Sequence, residues 1–203
     1  MPGFDSIFFD FDGVLADTEP VHCACWAEVL APEGVALDWA VYATRFMGID
    51  DREMLRILAG QANPRREWAD LWRLYPAKKE LFRCRVMSAP PFDPGLRPFL
   101  SGLNGQYRLA VVSSSSSSEI EPMLEAAGLL PYFQTVVGGE HVKRHKPAPD
   151  PYLLAAERLN VRSPLVVEDS EPGQASGRAA GFEVLAVMHP TEVPALVGRR
   201  LAL

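Results

Sequence analysis

The stretch "FFDFDGVLADTEP", Phe8 to Pro20, runs an apolar strand-like segment directly into Asp10 and Asp12, with Gly13 behind them. Side chains two apart on an extended chain point the same way, so both carboxylates are expected to face one spot. Two bare carboxylates about 4 Å apart, at an effective dielectric near 20, repel by about 4 kcal/mol. Such a pair needs a cation, a shared proton or both. A second acidic cluster, Glu168, Asp169 and Glu171 in "VVEDSEPG", ends another apolar segment. An all-oxygen donor set with no His/Cys group points to Mg²⁺, with waters and a substrate phosphate completing its coordination.

These groups meet only if the strands that carry them are parallel and neighbouring. Short, nearly continuous apolar runs lie at Ile7–Phe9, Leu109–Val112, Thr135–Val137, Leu165–Val167 and Val184–Val187. They do not alternate with polar residues, which predicts parallel strands buried on both faces. Helical patterns fall between most of them, giving an α/β fold. "EIEPMLEAAGLL" predicts a helix ending near Gly128. "DPYLLAAERLN" predicts one with Asp150 as N-cap, Pro151 in the first turn and Asn160 closing it. Residues 18–88 break the rhythm with helical spacing alone, and Trp26, Leu30, Leu55, Leu58, Trp68, Leu71, Trp72 and Leu81 are the expected core of a small bundle. The Pro/Gly-rich "SAPPFDPGLRP" marks its end. The expected domains are therefore 1–17 with 89–203, and an inserted helical unit at 18–88. An insertion there hangs over the carboxyl edge of the sheet, where open α/β folds bind ligands.

The run Ser113–Ser118 sits between a predicted strand and a predicted helix. Hydroxyls and backbone N–H groups at such a turn suit a phosphate. Ser113 is the best placed, and Ser118 with Glu121 reads as a capping box. Lys146, in "KRHKPAPDPY", would offset excess negative charge and hold a phosphate oxygen; spacing does not separate it from Lys143 and Arg144.

The totals agree with a small folded enzyme. The chain has 203 residues, just under half of them apolar, and a net charge of −6. That charge argues against nucleic acid and anionic membranes as partners. No apolar run reaches the length of a spanning helix, no secretory leader is legible, and Cys23, Cys25 and Cys84 form no CxxC motif, which together predict a cytoplasmic protein with free thiols. A monomer is favoured. His141, His145 and His189 read as surface residues. The C-terminal "EVPALVGRRLAL" reads as a last helix or a docking segment.

Taken in order, "DFDGVLADT", Ser113, Lys146 in "KPAPDPY" and "VVEDSEPG" resemble the four motifs of the haloacid dehalogenase superfamily, in its β-phosphoglucomutase and phosphoglycolate-phosphatase-like branch. The resemblance implies a Rossmann-like parallel sheet flanked by helices, with an inserted α-helical cap. It implies Asp10 as nucleophile, forming an aspartyl-phosphate, and Asp12 as general acid and base. It implies Mg²⁺ held by the Asp10 carboxylate, the Asp12 backbone carbonyl and Asp169, with Glu168 acting through water. Ser113, the Ser114 N–H and Lys146 would hold the phosphoryl oxygens. Keeping Asp12 favours phosphoryl transfer over dehalogenation, since a halide leaves without a proton. His22 and Lys78 match cap residues of the mutases, with Lys79 a competitor for the latter. However, Asp51 falls where the mutase has an arginine, and Arg52 is one residue off. The expected function is a Mg²⁺-dependent phosphatase of small phosphorylated metabolites, with a sugar-phosphate mutase and a non-catalytic Mg²⁺-binding module as alternatives.

Overall fold

A computed structural model describes residues 3–47, 49–62 and 64–202. The chain divides into two compact units at Asp17/Thr18 and Ala89/Pro90. The first unit holds β1 (Ser6–Phe9) and, after the insertion, α6 (Leu96–Leu103), β2 (Arg108–Val112), α7 (Ser117–Ala126), β3 (Thr135–Val137), α8 (Asp150–Leu159), β4 (Pro164–Glu168), α9 (Glu171–Ala179), β5 (Glu183–Ala186) and α10 (Val193–Leu201). The second holds α1 (Glu19–Leu30), α2 (Trp39–Arg45), α3 (Asp51–Gln61), α4 (Trp68–Trp72) and α5 (Tyr75–Ser88).

All five strands are parallel, in the order β3-β2-β1-β4-β5. β1 is therefore central, and its four residues are fully buried. Phe8 and Phe9 show why its sequence does not alternate. Phe8 packs with Ala110, Val112, Val166 and the α8 residues Tyr152 and Ala155 on one face. Phe9 packs edge-on against Phe99 of α6 and against Phe133 on the other. Both faces are covered, so both need apolar residues.

Several local expectations shift. β5 is Glu183–Ala186, one residue earlier than Val184–Val187. α8 starts at Asp150 with Pro149, not Asp150, as N-cap; the Asp150 carboxylate instead pairs with Arg144. Asn160 does close it, in the left-handed region at φ 51°. Ser118 is not the cap of α7. That helix begins at Ser117, and Ser116 caps it by accepting the Ser118 N–H. The cap thus lies two residues earlier than expected, and the Ser117 N–H is met from outside the helix by Glu140.

The helical unit has its own core of Trp26, Leu30, Tyr42, Phe46, Met54, Leu55, Leu58 and Leu71, with Trp68 and Trp72 packed on it half-buried. Leu81 is half-buried and outside that cluster, because the inward positions of α5 are Lys78 and Val86. Gly48 lies outside the described residues, as do both extreme ends of the chain. The last residues form α10, with Val193 and Val197 fully buried. Cys23, Cys25 and Cys84 are unpaired thiols. No helix among the described residues is long and apolar enough to cross a membrane.

Removing the Phe8 ring takes filling from a site that cannot collapse, so Phe8→Ala is expected to destabilise the protein by about 3–5 kcal/mol in urea unfolding. Met188→Ala, at a fully solvated position, is expected to change stability by no more than about 0.5 kcal/mol.

Candidate active site

The carboxyl ends of β1, β2 and β4 carry Asp10, Ser113 and Asp169. The ladders continue one residue past the strands. The Asp10 N–H donates to Val167 O at 3.0 Å and the Ser113 N–H to Val137 O at 2.9 Å. This extension holds each functional residue in register with its neighbour. Along an extended chain, Asp10 follows the Phe8 face and Glu168 the Val166 face, so both project to the side covered by α8.

Asp10 and Glu168 are both buried and share one cation. Lys146 Nζ lies 2.5 Å from Asp10 Oδ1 and 2.6 Å from Glu168 Oε1, and donates to Val112 O at 2.9 Å. Its side chain is only 5% exposed. The competition with Lys143 and Arg144 is thereby decided in the fold: Lys143 is exposed, and Arg144 binds Asp150. Asp169 completes the cluster. One carboxylate oxygen from each of Asp10, Glu168 and Asp169 lies within 4.8 Å of the others.

Burial pushes the Asp10 carboxyl well above the usual range against the opposing pull of Lys146, and the charges of Glu168 and Asp12 add to the rise. Asp169 is raised to about 6, by burial first and by Glu168 next. For Lys146, burial alone would lower the pKa, but Asp10 and Glu168 outweigh it and the ammonium is held charged. Three acids around one amine leave excess negative charge, which a divalent cation would relieve.

Asp12 does not join this cluster through its side chain. β1 ends at Phe9, so the two-residue repeat does not extend to it, and Asp12 Oδ2 accepts from the Ser115 hydroxyl at 2.9 Å. The serine loop is stiffened locally. Ser113 Oγ accepts the Ser115 N–H at 3.0 Å, and Ser114 is exposed, its carbonyl packed on Gly139 so closely that a Cβ there would collide with it. Glu140 Oε1 accepts from both the Ser117 N–H and hydroxyl, at 2.9 and 2.5 Å. Those bonds, the Ser117 hydroxyl first, hold the Glu140 pKa down to about 2.

Two glycines create the space for the acids. A Cβ on Gly13, whose φ is +77°, would collide with the Asp169 carboxylate, and one on Gly173 would collide with that of Glu168. Glu168 Oε2 is further held by the Ser170 N–H and hydroxyl at 3.2 and 3.0 Å. Ser115, Tyr152 and Gly173 went unnoticed in the sequence as site residues. The only signals for them were membership in the serine run, "KPAPDPY" and "EDSEPG", none of which states a contact.

The helical unit places His22 and Lys78 together. Lys78 Nζ lies 2.9 Å from His22 Nδ1 and 3.3 Å from Asp51 Oδ2, and Asp51 Oδ1 accepts from the Trp26 indole N–H at 2.8 Å. Burial first, then the Lys78 charge, lowers His22 to about 3, so the imidazole is neutral. Arg52 is not part of this group; its guanidinium lies over the Trp72 ring at 4.8 Å.

A profile of haloacid dehalogenase-like hydrolases matches residues 7–187. The chain belongs to that family. Its relatives include the fructose-1-phosphate phosphatase YqaB of Escherichia coli, 34% identical over 187 residues, covering 91% of this chain and 96% of the relative. A phosphorylated carbohydrates phosphatase of Thermotoga maritima is 32% identical over 190 residues, covering 91% and 86%. Among solved structures, a beta-phosphoglucomutase-like protein of Thermotoga maritima superposes with a TM-score of 0.76 at 28% identity, covering 96% of this chain and 99% of that one. The present chain is a phosphoric monoester hydrolase of this haloacid dehalogenase-like group.

Two outcomes are expected. Gly173→Ala, which drives a methyl into the Glu168 carboxylate, should lower phosphate-ester hydrolysis at least about a hundredfold, read as kcat/KM on a phenyl phosphate. The folded-state pKa of Glu140 lies below its unfolded value, so its stabilisation is full above about pH 4.5 and disappears as pH falls toward 2. The thermal-stability gap between wild type and Glu140→Gln should shrink over that window.

Proposed function

We propose that this enzyme is a Mg²⁺-dependent phosphatase of small phosphorylated metabolites, of the sugar-phosphate or phosphoglycolate class, working through an aspartyl-phosphate on Asp10. The observation that carries this reading is the shared lysine: a buried ammonium holding a strand-end aspartate beside two further acids. This arrangement sets a positive charge beside the carboxylate that must receive a dianionic phosphoryl group.

The donors fit Mg²⁺. They are all oxygens, and they converge. The Asp10 carboxylate, the Asp12 backbone carbonyl and Asp169 would hold the ion. Glu168, whose oxygens already accept four hydrogen bonds, suits a position one water away. When bound, the ion supplies charge to stabilise the transferring phosphoryl group.

The residues then divide the work. An Asp10 oxygen attacks phosphorus in line, and the bond to the leaving alkoxide breaks. Asp12 gives that alkoxide its proton, then takes one from the water that cleaves the aspartyl-phosphate, releasing inorganic phosphate and restoring Asp10. Ser113, the Ser114 N–H and Lys146 hold the equatorial oxygens. For the rest of the substrate this reading keeps His22 and Lys78 of the helical unit. Asp51 cancels the Lys78 charge, which disfavours a second phosphate and with it the mutase alternative. This reading takes the metabolite as the partner and has the enzyme act in the cytoplasm as a monomer.

A panel of phosphorylated metabolites assayed with and without Mg²⁺ tests this. Wild type is expected to release phosphate only with Mg²⁺, and Asp10→Asn to lose at least about a thousandfold in kcat while remaining folded. Folded wild type with no Mg²⁺-dependent release would favour the non-catalytic module. Isomerisation of a sugar 1-phosphate in the presence of a trace of bisphosphate would favour the mutase.

A further inference from the structure

Glu168 is the most fully enclosed acid of the site, and one of its partners was given no role in the reading of the sequence. Tyr152, on the first turn of α8, is itself fully buried and donates its hydroxyl to Glu168 Oε1 at 2.8 Å. Lys146 takes the same oxygen at 2.6 Å, and the Lys146 ammonium lies 5.2 Å from the centre of the Tyr152 ring. Ser170 occupies the other oxygen twice. All four lone-pair directions of the carboxylate are thus met.

Resting on the phosphatase reading above, we propose that Tyr152 is a positioning residue of the phosphoryl-transfer site. Its hydroxyl shares the charge of Glu168 Oε1, so that Lys146 stays divided between Glu168 and Asp10 and keeps its positive charge beside the nucleophile.

Packing does not call for the hydroxyl. The Tyr152 ring lies among Phe8, Ala110, Val112, Ala155 and Val166, where a phenylalanine would fill the same space. A buried hydroxyl needs a partner, and here that partner is a carboxylate. Burial first, and then the neighbouring charges of Glu168 and Asp10, push the phenol well above its ordinary pKa, so it stays a donor. Lys146 has three N–H protons, and three acceptors already claim them: Asp10, Glu168 and Val112. The pull of each carboxylate on the ammonium then decides how closely it approaches the nucleophile. A donor on Glu168 weakens that pull on the side away from the chemistry. Without it, Lys146 shifts toward Glu168, Asp10 loses neutralisation, and a phosphoryl dianion meets a more repulsive site.

The test is Tyr152→Phe, with Ser176→Ala as the control. Ser176 is also fully buried, and its hydroxyl donates to a backbone carbonyl, Ala148 O, at 2.6 Å, not to a carboxylate. Binding of inorganic phosphate in saturating Mg²⁺ is measured by calorimetry at 25 °C, beside kcat and KM on phenyl phosphate and thermal unfolding. The expected result is a phosphate Kd weakened about three- to tenfold in Tyr152→Phe, with a comparable fall in kcat/KM, and no change in either for Ser176→Ala. A lower unfolding temperature with unchanged phosphate Kd would overturn the proposal, since that is all a structural hydroxyl predicts. Failure of Tyr152→Phe to fold where Ser176→Ala folds would overturn it too. If wild type itself shows no Mg²⁺-dependent phosphatase activity, the functional reading fails. Active wild type with an unaffected Tyr152→Phe defeats this inference alone.

Discussion

One ammonium ion holds two buried carboxylates apart and in place, and the rest of the catalytic unit is arranged around that fact. Lys146 bridges Asp10 and Glu168, both buried and Glu168 fully so. Buried ion clusters are poor sources of stability, because the loss of hydration consumes most of the Coulombic gain. The cluster therefore has to be imposed by its surroundings. The parallel ladder does so from below, carrying Asp10 and Ser113 one hydrogen bond beyond their strands. Gly13 and Gly173 do so from the side, leaving out the methyl groups that would evict Asp169 and Glu168.

The same arrangement separates two acids that sit only two residues apart. Asp10 leaves β1 toward the α8 face and Lys146. Asp12, already off the strand, turns to the Ser115 hydroxyl. Asp10 therefore lies beside a positive charge, while the Asp12 carboxylate accepts from a neutral hydroxyl. The strand end is what makes this division, since a longer β1 would have kept both carboxylates on one face.

The polar cluster of the helical unit follows a related rule with a different balance. Lys78 is buried against two aromatic rings, Trp26 and Phe82, and meets one carboxylate and one neutral imidazole. Here one acid is matched by one amine, whereas in the catalytic unit three acids face one amine. A divalent ion is called for in the second case and not in the first.

Much of this was legible in the chain, for reasons that can be stated residue by residue. β1, β2 and β4 were readable because a strand covered on both faces has to be apolar throughout, as Phe8 and Phe9 show. Asp10 and Ser113 could be placed because each directly follows such a run, and Asp169 because it stands two residues beyond one. The start of α7 was misread because the serine that caps it, Ser116, stands in an unbroken serine run whose members look alike in sequence. The outward turn of Leu81 was missed because a lysine occupies the inward position on α5. Residue types and their places at strand ends are local properties, and a sequence determines them by itself: an acid after an apolar run, a glycine where the chain must turn, a chain without a spanning helix. Which amine of three faces the acids, which hydroxyl steadies Glu168, and which side of β1 receives each aspartate are distances between segments remote in sequence. Only the packed sheet, with α8 laid across it, decides them, because hydrogen bonds and charges act through space and not along the chain.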